Sequence, residues 1–136
     1  MKRLLLLLLV AMSSTAIYAQ QCYACIGNNV NLRKGPGTNY GVIRQIWKGC
    51  GVGEGYEECD HETANYEIQY RGKKKNGFIY VEIVGEGMFD VVGWMSAKYL
   101  RPVCSHCGGY PEVYDSCDSE NPKLLKRCKY CNGRGY

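Results

Sequence analysis

The chain has 136 residues, among them 17 basic and 13 acidic side chains, nine cysteines and twelve tyrosines. That length accommodates one small domain with an appendage and excludes two independent cores. A formal net charge of +4 is far below the footprint of a nucleic-acid binder, so no nucleic-acid partner is expected.

The opening "MKRLLLLLLVAMSSTAIYAQ" pairs Lys2 and Arg3 with an apolar run from Leu4 to Met12 and ends in "AIYA". This is the order of a secretory signal, so residues 1–19 are expected to be removed after Ala19 and the chain to be exported, periplasmic or secreted. The apolar run is shorter than the roughly 20 residues that span a bilayer, so no stable membrane span is expected. Loss of Lys2 and Arg3 would leave fifteen basic against thirteen acidic residues, a net charge of +2. In so short an exported chain, nine cysteines imply that cross-links or metal substitute for core area.

Residues 20–26 carry "CYAC", a C-x2-C pair at Cys22 and Cys25. A thioredoxin-like pair sits between a strand and a long helix, and no helical period follows, which favours a staple or a metal pair. "NVNLRKGPGTNYGVIRQIWKG" then alternates Val30 and Leu32 with Asn31 and Arg33, breaks at "KGPGTNY", and resumes with Val42, Ile43, Ile46 and Trp47. Two strands joined by a fixed turn fit this pattern, with Pro36 presetting φ and Tyr40 able to fold back over the turn. "YEIQY", "NGFIYVEIV" and "VVGWMSAKYL" supply further short strands. The class expected is all-β, a small barrel. "RGKKK", Arg71 to Lys75, reads as a solvated hairpin tip.

"VNLRKGPGTNYGVI" and "GWMSAKYL" resemble the opening and closing segments of the bacterial SH3-type domain. The resemblance spans Gly27 to Val103 and implies an SH3-like barrel over 27–103. The family's brief central hairpin is replaced here by the long internal insert "CGVGEGYEECDHETANYEIQYRGKKK". Such barrels serve as targeting modules for cell-wall or protein ligands, which implies peptidoglycan or an envelope protein or peptide as partner. The resemblance brings Asn39, Tyr40, Tyr56 and Tyr66 toward one edge as ligand contacts, near Trp47 or Trp94.

After the barrel, residues 104–136 turn rich in Cys, Gly, Ser and Asp. Cys104, Cys107, Cys128 and Cys131 form C-x2-C-x20-C-x2-C, close to the spacing of a four-thiolate zinc site. "CKYCNGRGY" matches the C-x2-C-x-G-x-G repeat of the DnaJ-type zinc finger in full, and "CSHCGGY" keeps its first glycine. One zinc per chain is the reading preferred, with pairwise disulfides and redox catalysis as alternatives. His106 lies inside the first knuckle and is expected to be a turn residue, because four thiolates complete a tetrahedron.

Cys50 and Cys59 flank "GVGEGYEE", a natural place for a disulfide, and Cys117 is left as the odd thiol. The only histidines are His61 and His106. Neither stands in a setting that would serve a cysteine nucleophile, so no catalytic residue is assigned. The function expected is an exported, non-catalytic binding module. A thiol–disulfide active envelope protein and a structural subunit of an envelope assembly are the alternatives.

Overall fold

The computed structural model describes residues 20–56, 66–85, 88–116 and 120–136. The expected signal segment, Cys59, His61 and Cys117 lie outside the described residues. Along the chain run β1 (Cys22–Cys25), β2 (Val30–Arg33), β3 (Val42–Ile46), β4 (Glu54–Tyr56), β5 (Glu67–Lys75), β6 (Phe78–Gly85) and β7 (Met88–Ser96). A 3-10 turn at Ala97–Tyr99 leads to β8 (Leu100–Pro102), and β9 (Glu112–Tyr114) and β10 (Leu124–Arg127) follow. The chain is therefore all-β, as its alternating pattern implies.

A seven-stranded antiparallel sheet has the order β3-β2-β7-β6-β5-β1-β8. Period-two alternation decides which side faces in. Val30 and Leu32 of β2 and Ile79, Val81 and Ile83 of β6 are buried, while Asn31, Arg33, Tyr80 and Glu82 are more exposed. With Tyr23, Ile46, Ile68, Met95 and Leu100 they make one apolar core.

β3 departs from the expected pattern. Only Ile46 is buried, and Val42 and Ile43 stay 46% and 41% exposed on a strand that is outermost, with a ladder on one side. "RGKKK" departs too. It forms the end of β5 rather than the tip, and Asn76 and Gly77 (φ 52° and 74°) make the turn. Asn-Gly accepts the paired positive φ of a tight hairpin turn at little steric cost, so it displaces the charged run into the strand.

The sheet curls until the segment after β3 meets β1. The Cys25 N–H donates to the Cys50 carbonyl at 2.8 Å, and the Gly49 N–H donates to the Cys25 carbonyl at 2.8 Å. The outer strands β3 and β8 do not pair, so among the described residues the sheet is curled but not a closed barrel. Residues 20–26 thus supply an internal strand, β1, paired with both β5 and β8.

A second sheet has the order β10-β9-β4. Here β4 runs parallel to β9, so a strand from within 27–103 joins the sheet of the Cys-rich tail. Further backbone bonds cross the junction, from Gly53 N–H to the Gly109 carbonyl at 2.7 Å and from Val103 N–H to the Cys22 carbonyl at 3.0 Å. Among the described residues no helix is long and apolar enough to cross a membrane.

Candidate metal centre

The two C-x2-C pairs sit where strands end. Cys104 follows β8 and Cys128 follows β10, and each chain then curls into a knuckle. In the first, the Gly108 N–H donates to the Cys104 carbonyl (2.8 Å); in the second, the Gly133 N–H donates to the Cys128 carbonyl (3.1 Å). The residue after each second cysteine is left-handed, Gly108 at φ 60° and Asn132 at φ 52°. Glycines at φ 93° (Gly109) and 76° (Gly133) come next, so the two knuckles share a conformation although their letters differ.

Gly135 completes the second knuckle. Its N–H donates to Cys131 Sγ at 3.2 Å, and its carbonyl accepts the Cys104 N–H at 2.8 Å, tying one knuckle to the other. Its φ is 85°, and an added Cβ would stand 2.7 Å from a Val52 methyl. Only glycine satisfies that conformation and that space without strain.

The four sulfurs of Cys104, Cys107, Cys128 and Cys131 lie within 4.8 Å of one another, and Cys107 Sγ is 3.8 Å from Cys131 Sγ. A metal bonded to four sulfurs at about 2.3 Å places them about 3.8 Å apart at the corners of a tetrahedron. The cluster therefore fits a metal ion, and it is too open for disulfides as it stands. Among the described residues no disulfide is formed.

Electrostatics prepare the cluster unevenly. Burial pushes Cys131 up, but the Gly135 amide and the thiols of Cys128, Cys107 and Cys104 outweigh it and bring the group down to about 7. Burial pushes Cys107 up to about 12, and its three neighbouring thiols add to the rise against the Gly109 amide. The Cys131 thiolate thus forms more readily than that of Cys107, and a bound cation would favour the deprotonated form of its ligands. A divalent ion among four thiolates leaves an excess charge of about −2. Lys126, Arg127 and Lys129 line a cleft of about 520 Å³ beside Cys107 and Cys128, with Arg127 paired to Glu112 at 2.8 Å.

His106 takes no part in the sulfur cluster. It occupies the same knuckle position as Tyr130, and the two rings stack at 3.6 Å between centroids and 11° between planes. Compared with family models, curated proteins and solved structures, the chain has no match in any of the three. Its function rests on its own geometry.

That geometry separates the other expected sites. "CYAC" lies in a strand rather than a turn, which sends Cys22 and Cys25 to opposite faces. Cys22 is half-buried, and Cys25 is 1% exposed in the core. Burial raises both thiols, with the Glu67 charge adding to the rise at Cys22 and a hydrogen bond to the Gly27 backbone opposing it at Cys25. Cys50, expected to bridge to Cys59, is also in the core beside Cys25.

The expected aromatic edge divides in two. Tyr66 packs against the core and meets Trp47 edge-to-face at 5.0 Å, over Gly85 at the end of β6. Trp94 tilts against Tyr80 at 5.1 Å, near the start of β6. Those positions on β6 are roughly 15 Å apart by strand rise. Tyr40 folds back over Gly35 as the turn chemistry implies, and its carbonyl accepts Arg33 Nη1 at 2.8 Å. Asn39 lies beside it on the same exposed turn, and the backbone of Tyr56 belongs to β4. What the sequence reading missed is the pairing of β4 with β9, for which a three-residue strand carries no alternation to detect.

Proposed function

We propose that this chain is an exported, non-catalytic binding module built on an SH3-type barrel-like sheet and held at its C-terminal end by one zinc ion. The convergence of Cys104, Cys107, Cys128 and Cys131 carries the reading. Four thiolates leave no open position for a substrate, which is the donor set of a structural zinc. Zinc is preferred over other soft divalent ions because thiolates in a tetrahedron suit it and it brings no redox chemistry. In this reading the ligand is peptidoglycan or an envelope protein, met at the exposed turn of Asn39 and Tyr40. For the "CYAC" pair the thiol–disulfide alternative is disfavoured, because Cys22 and Cys25 face apart and their thiols are raised, away from the reactive thiolate form.

Protein purified without an affinity tag is expected to contain one zinc per chain. Cys104, Cys107, Cys128 and Cys131 should resist alkylation until a chelator is added. Retention on purified cell-wall sacculi tests the ligand. Metal-free protein with all four cysteines oxidised in pairs would overturn the zinc, and absence of retention at low salt would overturn the wall partner.

A further inference from the structure

A pocket of about 280 Å³ opens at the start of β2 and shares no lining residue with the cysteine cluster. It is assembled from remote parts of the chain. The β6–β7 ladder sets Phe78 opposite Ser96, and the bridge between Arg33 and Trp94 brings β2 against β7. The turn before β2 adds Asn28 and Asn29, and the 3-10 turn adds Lys98 and Tyr99.

The rim is rich in amides and hydroxyls, from Asn28, Asn29, Asn31, Thr38 and Ser96. Turn formation accounts for Asn29, which is left-handed at φ 49°. Asn31 within β2 accepts Gln45 Nε2 from β3 at 3.3 Å through its Oδ1, which leaves its amide N–H2 for the pocket, and turn formation does not account for Thr38 and Ser96. Two cations stand among these groups. Arg33 is anchored by one terminal nitrogen on the Tyr40 carbonyl, and the Lys98 ammonium lies 4.7 Å over the Tyr99 ring. Among the described residues neither is in an ion pair.

Charge is unevenly distributed along the chain. No acidic residue occurs in 20–53, 68–81 or 91–111, the stretches that build it, whereas 54–67 holds six. The lining itself holds two cations, Arg33 and Lys98, and no acidic residue, which favours an anion. Its volume suits one ring rather than a long ligand. Side-chain amides and hydroxyls each donate and accept, which matches ring hydroxyls, and Phe78 and Tyr99 offer apolar ring faces. A bare phosphate would use the cations and leave the amide rim idle.

We infer that this pocket binds a single sugar residue bearing a carboxylate, with Arg33 and Lys98 on the carboxylate and the Asn-rich rim on the hydroxyl and amide groups. The inference rests on the cell-wall reading above and assigns recognition to the glycan rather than to the peptide.

The test uses the zinc-loaded mature chain and three probes, namely N-acetylmuramic acid, N-acetylglucosamine and the dipeptide D-alanyl-D-alanine. The first two differ in the lactyl carboxylate, and the third carries a carboxylate without a sugar. N-acetylmuramic acid is expected to shift the backbone amide resonances of Asn28 to Arg33 and of Lys98 and Tyr99. N-acetylglucosamine should bind at least about tenfold more weakly. Lys98→Gln, which leaves the Arg33 anchor intact, should weaken the muramic acid about tenfold while zinc content and melting temperature stay unchanged. Equal binding of both sugars, preference for the dipeptide at these residues, or no shifts there would each overturn the inference. Retention on sacculi that survives Lys98→Gln together with Arg33→Gln would overturn it while leaving the wall partner standing. Muramic acid binding without retention on sacculi would do the reverse.

Discussion

Gly135 concentrates three demands in one residue: a positive φ, no space for a Cβ, and an amide aimed at Cys131. Gly135→Ala is expected to cost about 1 to 3 kcal/mol of local strain. It should show as faster zinc loss to a chelator, and equal rates for both proteins would mean that the knuckle relaxes freely. Cys50 makes a second, pH-dependent case. Burial, with the Cys25 charge adding to it, pushes its thiol up to about 12, whereas a free thiol ionises near 8.5. The folded chain thus holds this proton more tightly than the unfolded chain. The contribution is whole below about pH 8.5 and is lost as pH rises toward 12, by about 1.4 kcal/mol per unit. Urea midpoints of zinc-loaded, reduced protein should fall accordingly between about pH 9 and pH 11. Cys50→Ala should remove most of that slope, and an unchanged slope would show that Cys50 is not the shielded group.

Among the elements, β6 was legible because Ile79, Val81 and Ile83 alternate with polar or amphipathic neighbours, and one face of its sheet is buried. β3 forms where its apolar residues place a strand, but as an outer strand it carries Val42 and Ile43 in the open, which the letters alone do not show. Tyr66 shows the same limit at a single ring. A tyrosine at the start of a strand looks the same whether it faces a ligand or a core, and here it covers the core and Trp47. Tyr66→Ala is therefore expected to lower stability by about 1.5 to 3 kcal/mol and to leave sugar binding at the Asn-rich pocket intact. Thermal melting and the muramic acid titration separate the two effects. Weakened sugar binding at an unchanged melting temperature would place Tyr66 at the ligand after all.

For the whole molecule, the tail is structurally coupled to the main sheet. β4 pairs with β9, Gly53 bonds Gly109, and Gly135 packs on Val52. A chain cut after Val103 is expected to keep the seven-stranded sheet, since its core residues all lie before the cut. It should lose amide protection over residues 49–56 and melt about 10 °C lower, taking about 2 kcal/mol for the lost backbone bonds. Circular dichroism and hydrogen exchange would check this, and an identical melting temperature would show that the tail contributes nothing to the sheet. Zinc removal from the full chain should move the melting temperature in the same direction.

The sequence by itself determined what depends on neighbours along the chain. Cysteines separated by two residues and followed by glycines form a knuckle through backbone conformation, and alternating Ile and Val mark a strand with one buried face. Tertiary structure decided what depends on remote partners. It placed Cys22 to Cys25 inside the sheet, joined β4 to the tail, parted Tyr66 from Trp94, and gathered the acid-free stretches around one pocket. Those outcomes follow from which pairings bury the most apolar surface over the whole fold, a sum that no local stretch of residues contains.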